Sequence, residues 1–163
     1  MPIISTLKDP EALTLTLVAD FAADAPRAWQ LWADPRQLER WWGPPTWPAR
    51  FEHLDLRAGG TAAYVMTGPD GSTAGGLWEF AAVEEPTSLT FDDFFADDTG
   101  SPARDMPVTH TTMVLVPAEG EDARTRMTLV TRFDSAEQLD QLMQMGMEEG
   151  LRGAVSQIDG ILA

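Results

Sequence analysis

Residues 135–162 read SAEQLDQLMQMGMEEGLRGAVSQIDGIL, and this stretch decides the fold. Ser135 with Gln138 three positions on makes a capping box, which satisfies backbone N–H groups that the first helical turn leaves free. Leu139, Leu142, Met143, Gly146, Gly150, Ala154, Ile158 and Ile161 then recur at intervals of three and four, so they share one face of a helix. A continuous helix over this run is about 40 Å long at about 1.5 Å per residue. Gly146, Gly150, Gly153 and Gly160 each cost such a helix roughly 0.5–1 kcal/mol relative to Ala, so close backbone approach or open room beneath must compensate. A long helix with one apolar face has to lie across another apolar surface.

The upstream sequence supplies that surface. Leu13, Leu15, Leu17, Ala19 and Phe21 alternate with Thr14, Thr16, Val18 and Asp20, the period of a strand with one buried face. Asp24 and Pro26 then read as a helix start, followed by Ala28, Trp29, Leu31 and Trp32 at helical spacing. Asp34 and Pro35 repeat the signal, with Gln37 three residues after Asp34 and then Leu38, Trp41 and Trp42; Gly43, Pro44 and Pro45 end this second short helix. From Pro48 onward, strand-like segments span residues 50–56, 61–67, 74–83, 88–95, 108–116 and 124–133. Turns at Gly59-Gly60, Pro69-Asp70-Gly71 and Glu119-Gly120-Glu121-Asp122 punctuate them. Joined by turns this short, consecutive strands are antiparallel neighbours. Met127, Leu129, Thr131 and Phe133 mark the clearest inward face among the later strands, with Arg126, Thr128 and Arg132 facing out. Residues 96–107, rich in Asp, Gly, Ser and Pro, form a loop long enough to act as a lid over a binding site or to run out as an acidic excursion. A meander without crossover helices excludes a doubly wound sheet and predicts an α+β fold of about seven strands covered by the final helix.

With 163 residues, 44% hydrophobic and 23% charged, the chain suits a single domain over 1–163 with one core. No cysteine is present, which removes disulfides, thiol nucleophiles and thiolate metal sites, and leaves packing to hold the fold. The opening residues lack the basic flank and apolar run of a signal peptide, and no apolar stretch is long enough for a membrane span, which together predict a cytoplasmic protein without membrane insertion. A net charge of −15 repels a phosphate backbone and argues against a nucleic-acid partner.

Few groups suggest chemistry. His53, Asp55 and Arg57 share a face of one strand; a His–Asp pair can orient a general base, but an Asp55–Arg57 ion pair fixing the Gly59-Gly60 turn is the simpler expectation. His110, flanked by Thr109, Thr111 and Thr112, reads as a structural histidine. Glu84-Glu85 and Asp92-Asp93 are adjacent strand residues pointing to opposite faces, and Asp97-Asp98 sits in the loop. Neither metal-ligand spacing, nor a phosphate-binding glycine loop, nor a nucleophile elbow occurs, so no cofactor, no metal and no catalytic residue is assigned from the sequence.

Several stretches in this order resemble one family. They are Ala25-Pro26-Arg27 with Trp29 and Trp32, Asp34-Pro35 with Leu38 and Trp41-Trp42-Gly43-Pro44, and Asp55-Leu56-Arg57-Ala58-Gly59-Gly60. Met66 before Gly68-Pro69-Asp70-Gly71, Trp78-Glu79, and Met147 with Gly150-Leu151 extend the match over nearly the whole chain. The sequence resembles the SRPBCC or START-like superfamily with its helix-grip fold, in the bacterial subgroup related to the C-terminal domain of the heat-shock protein 90 ATPase activator. The resemblance implies a ligand site between the concave sheet face and the long helix, and so points to Trp41, Trp42, Tyr64, Met66, Trp78, Phe80, Phe91, Phe94, Met143 and Met147, residue types that also build ordinary cores. Ala62 stands where the family often has a bulky aromatic, which predicts extra room. The function implied is noncatalytic binding of a small lipophilic molecule by a monomer or weak homodimer. The alternatives are a polyketide-cyclase-like enzyme assisted by Tyr64, His110 or Asp93, and a chaperone cofactor.

Overall fold

Period-two alternation becomes an eight-stranded antiparallel sheet in a computed structural model that describes residues 3–103, 105–119 and 123–162. The strands are β1 (Ile3–Asp9), β2 (Thr14–Phe21), β3 (Ala49–Leu54), β4 (Thr61–Thr67), β5 (Thr73–Glu84), β6 (Ser88–Phe95), β7 (Thr109–Pro117) and β8 (Thr125–Arg132). Their order across the sheet is β1-β2-β8-β7-β6-β5-β4-β3, so β3 to β8 form the expected meander and β2 closes on β8. Helices α1 (Ala25–Ala33) and α2 (Pro35–Trp41) follow β2. The side chains of Asp24 and Asp34 accept from the N–H groups of Arg27 and Arg36, so both aspartates cap as the sequence indicates. This is the helix-grip arrangement.

Two expectations need correction. The sheet has eight strands rather than about seven, because residues 3–9 add an edge strand to β2. Its register shifts between Ile3 and Ser5 and Leu7 is 66% exposed, so no alternating buried face announces it. The final helix is not continuous: it is split into α3 (Ala136–Gln144), α4 (Met147–Val155) and α5 (Ile158–Leu162). Gly146 adopts φ +87°, a left-handed conformation that ends α3 and lets α4 start on a new axis. The second break, at Ser156 and Gln157, frees the Gln157 side chain to donate to the carbonyl of Gly43 at 2.7 Å, which fastens the helical layer to the end of α2.

Inward residues of β2, β7 and β8, among them Leu17, Phe21, Met113, Leu115, Met127 and Leu129, are buried with Trp29, Trp32, Leu38 and Trp41 from the two short helices. Leu15, Phe133, Leu139 and Leu142 form a second cluster under α3. The loop at 96–107 is short-range structure rather than an open excursion. Ala96 bridges Pro102, Ala103 donates to the carbonyl of Phe95 at 2.7 Å, and the Asp97 carboxylate takes the N–H groups of Thr99 and Ser101. Arg104 of this loop and residues 120–122 of the expected turn at 119–122 lie outside the described residues. No helix among the described residues is long and apolar enough to cross a membrane.

Candidate functional site

Where α3 breaks into α4, the helical layer stands off the sheet and leaves a cavity of about 290 Å³. Its roof is Leu142, Met145, Gly146, Met147, Gly150 and Leu151. A Cβ placed on Gly150 would meet nothing within 4 Å, so this glycine leaves room, as the sequence suggests. Met145 is 55% exposed and sits at the rim. The side wall is Trp42 and Pro44 from the segment that ends α2. The floor comes from the concave sheet face: Tyr64 and Met66 of β4, Asp93, Phe94 and Phe95 of β6, Thr109 and Thr111 of β7, and Leu129 and Thr131 of β8.

One polar group stands out in this apolar cleft. Phe91, Asp93 and Phe95 share the inward phase of β6, so the strand that buries Phe91 also turns a carboxylate toward the cavity. The Tyr64 hydroxyl lies 3.4 Å from Asp93 Oδ1, positioned to donate. Burial pushes the Asp93 carboxyl up to about 7, and the Tyr64 hydroxyl and the nearby Trp78 indole N–H offset only part of that rise. Tyr64 is itself raised well above the usual phenol range, first by burial and then by the neighbouring Asp93 charge. The indole N–H groups of Trp42 and Trp78 lie near this pair but have no hydrogen-bond partner of good geometry among the described residues. Thr111 and Thr131 face each other across β7 and β8 with their hydroxyls 3.5 Å apart, a second weakly polar patch on the floor.

Tyr64 reaches Asp93 because the hydroxyl end of its ring passes across Gly76 of β5, where any Cβ would overlap it. Gly76→Ala should therefore displace Tyr64 and cost about 1–3 kcal/mol in urea unfolding. An unchanged unfolding midpoint would show that the ring has free space elsewhere.

Of the ten side chains proposed from the sequence, Trp42, Tyr64, Met66, Phe94 and Met147 line the cavity. Trp41, Trp78, Phe80 and Phe91 belong to the sealed core behind it. Trp41 is held there by its own indole, which donates to the carbonyl of Leu31 at 2.9 Å. Met143 packs on the second cluster, because the turn of α3 that brings Leu142 over the cavity carries Met143 aside. Ala62 is wholly buried opposite Trp78, so the room expected there belongs to packed core and not to the cavity.

The histidines lie elsewhere. Asp55 pairs with Arg57 at 2.9 Å on the surface while His53 contacts the Thr61 hydroxyl at 3.0 Å, so no His53–Asp55 dyad forms. A register shift between Phe51 and His53 alters the phase of that strand. His110 falls between Thr109 and Thr111, whose side chains face the cavity, so its own points to the opposite sheet surface. There its ring nitrogens contact Asp92 at 2.6 Å and Asp134 at 2.9 Å, which takes His110 out of the group that could assist a reaction in the cavity. Among the described residues no cluster of three or more His, Asp or Glu could hold a metal ion.

Thr109, Thr111, Phe95, Met145 and Pro44 are cavity residues that sequence spacing does not single out. The threonines do carry a signal, since they occupy the inward phase of β7, where an apolar residue is the norm.

A match to the family described as Activator of Hsp90 ATPase homolog 1-like protein spans residues 22–163. A solution structure of a protein from Arthrobacter aurescens is 53% identical, covering 98% of this chain and 91% of that one, with a TM-score of 0.91. A crystal structure of a protein from Mycobacterium smegmatis is 46% identical, covering 99% and 98%, with a TM-score of 0.89. The AHSA1 protein of Silicibacter pomeroyi shares the fold at 22% identity and a TM-score of 0.73, covering 91% and 96%. The comparison with curated proteins gave no match. A fold of the ligand-binding kind, a cavity between helix and sheet and a match over residues 22–163 agree: the chain belongs to the family of Activator of Hsp90 ATPase homolog 1-like proteins.

Proposed function

We propose that this protein binds a small, largely lipophilic molecule in the cavity beneath the α3–α4 break, without transforming it. The observation that carries the proposal is the cavity itself: about 290 Å³ walled by Trp, Met, Leu, Phe and Pro, with Asp93 as the one carboxylate among the described residues that line it. Apolar side chains that border a cleft instead of packing on one another forfeit dispersion contacts, so unpacked apolar walls of this extent fit a ligand. Sites that enclose small molecules have this composition, apolar walls with few polar groups that fix orientation.

A second reading has a specific observation behind it. Asp93, raised to about 7 beside Tyr64, is poised for proton transfer near neutral pH, as a general acid or base must be. That reading requires turnover of the bound compound, and the binding reading requires recovery of the compound intact.

The test uses 4-phenylbutanol and the Gly150→Leu variant. The wild-type protein should gain thermal stability with rising 4-phenylbutanol, by the linkage of binding to folding. In the variant the leucine occupies the open space above the floor. It should lose that ligand-induced shift while the free protein melts no lower than wild type, because Gly in a helix interior costs about 1 kcal/mol relative to good helix formers. A variant that retains the full ligand-induced shift would place binding elsewhere and sink the proposal.

A further inference from the structure

The geometry points to a ligand whose head is a protonated amine, seated on the Asp93 carboxylate beside the rings of Trp42 and Tyr64. This inference rests on the cavity-binding reading above and names the ligand's chemical class.

Charge carries the first part of the case. Among the described residues, Asp93 and Tyr64 are the only ionisable side chains in the lining, and no Lys, Arg or His is part of it. A carboxylate-headed or phosphate-headed lipid would therefore bring its anion beside Asp93 with no compensating cation, which is unfavourable in a largely apolar cleft. The chain as a whole carries −15, so its field draws cations in and repels anions. A protonated amine supplies the countercharge that the lining does not give Asp93.

Aromatic geometry carries the second part. Trp42 and Tyr64 meet edge to face at 6.2 Å, and both line the cavity beside Asp93. Trp42 also abuts Trp78 at 4.7 Å, which fixes its ring. Ring faces attract a cation, and the attraction is larger when the cation is desolvated. Tyr64 donates to Oδ1 of Asp93, which leaves the carboxylate with further acceptor capacity for an N–H donor from the ligand.

The groups around Asp93 also set a pH dependence. From β4 the titratable neighbour is Tyr64, which stays protonated because it is raised well above the usual phenol range. From β5 the neighbour is Trp78, and from β7 it is Thr109, neither of which titrates. Asp92 and His110 lie on the other face of the sheet. From α4 the lining residues are Met147, Gly150 and Leu151, and Glu148 and Glu149 are not among them. Asp93 is thus the group whose ionisation the amine senses. Since the free site titrates at about 7, amine binding should strengthen as pH rises through that value.

The experiment titrates the whole protein with 4-phenylbutylamine, 4-phenylbutanol and 4-phenylbutanoate, which share one hydrocarbon body and differ in the head. Near pH 8 the amine should bind at least about tenfold more tightly than the alcohol, and the carboxylate more weakly than either. Between about pH 8 and pH 6 the amine's affinity should fall roughly tenfold as Asp93 takes up a proton, while the amine itself stays protonated and the alcohol's affinity stays level. Asp93→Asn should lose the amine's preference over the alcohol together with its pH dependence, the ratio of the two affinities being the quantity read. If the alcohol binds as tightly as the amine, if the carboxylate binds best, or if Asp93→Asn keeps the preference, the amine inference is overturned and cavity binding stands. If none of the three binds wild-type protein, cavity binding itself fails and the inference falls with it.

Discussion

Replacing Asp93 with Asn is expected to stabilise the protein by about 3 kcal/mol near pH 8 and to leave its stability unchanged near pH 3. The sign follows from the direction in which the carboxyl is moved. Burial raises Asp93 from an ordinary value of 3.8 to about 7, so the folded state holds the proton over a range where the unfolded chain has released it. Below the unfolded value both states are protonated and the group contributes nothing to the difference. As pH climbs from about 4 to 7 the unfolded state gains its charge freely and the folded state does not, so stability declines across that window and levels off above it. At about 1.4 kcal/mol for each pH unit between the two values, the full effect would be about 4 kcal/mol, and access of solvent to the cavity reduces the figure. Asn keeps the shape and an acceptor for Tyr64 and cannot ionise. Urea unfolding of both proteins at the two pH values measures the effect directly. An identical gap between variant and wild type at both would mean that Asp93 is not held in an environment hostile to its charge. A residue that makes the folded state less stable at neutral pH is expected where a site is kept ready for a partner, because function and stability compete for the same positions.

The fold was legible because its elements repeat a simple physical pattern. Strands β3 to β8 alternate, Asp24 and Asp34 cap, and the α3–α4–α5 region keeps its apolar residues in phase, so sheet, helix pair and helical cover all follow from spacing. The break in the cover was hidden by the same regularity. The three-and-four spacing runs through Gly146 without interruption, and the backbone alone, at φ +87°, reveals that the helix stops there. A glycine one residue past the end of a helix is the general signal for such a stop, and the Gly146 position carries it. Strand β1 was missed for the opposite reason, since an edge strand with an irregular register has no buried face to advertise.

The cavity was only half legible, and the reason is chemical. Pockets and cores recruit the same side chains, so sequence composition offers no means of telling Trp42, at the wall, from Trp41, one residue earlier and wholly buried. What separates them is direction: Trp41 points its indole back at Leu31, and Trp42, beyond the last turn of α2, turns toward the sheet. Asp93 is the exception. A charged residue in the inward phase of a strand, between Phe91 and Phe95, breaks the pattern that its neighbours obey, and breaks of that kind mark functional sites more reliably than apolar residues do.

Trp78 lies behind that site, and truncating it should expose the division between core and cavity. Trp78→Ala is expected to cost about 3–5 kcal/mol, a large share of the roughly 5–15 kcal/mol that holds an ordinary domain together. The ring is 1% exposed, stacks on Phe91 at 4.3 Å, meets Trp42 edge to face at 4.7 Å and Phe51 at 5.4 Å, so its loss opens a void with rigid aromatic walls on several sides. Large rings around a void cannot collapse into it, and the cost rises with the volume left empty. Met66→Ala removes another large apolar side chain, but one that already borders open space and has fewer contacts to lose. Its cost should be about 1–2 kcal/mol, at or below the lower end of the range for buried methionine truncations. Chemical denaturation of the two variants decides the matter. Equal losses would mean that the space beneath the α3–α4 break is packed as tightly as the core in solution, whereas a twofold or greater difference identifies Trp78 as the wall's support and Met66 as its surface.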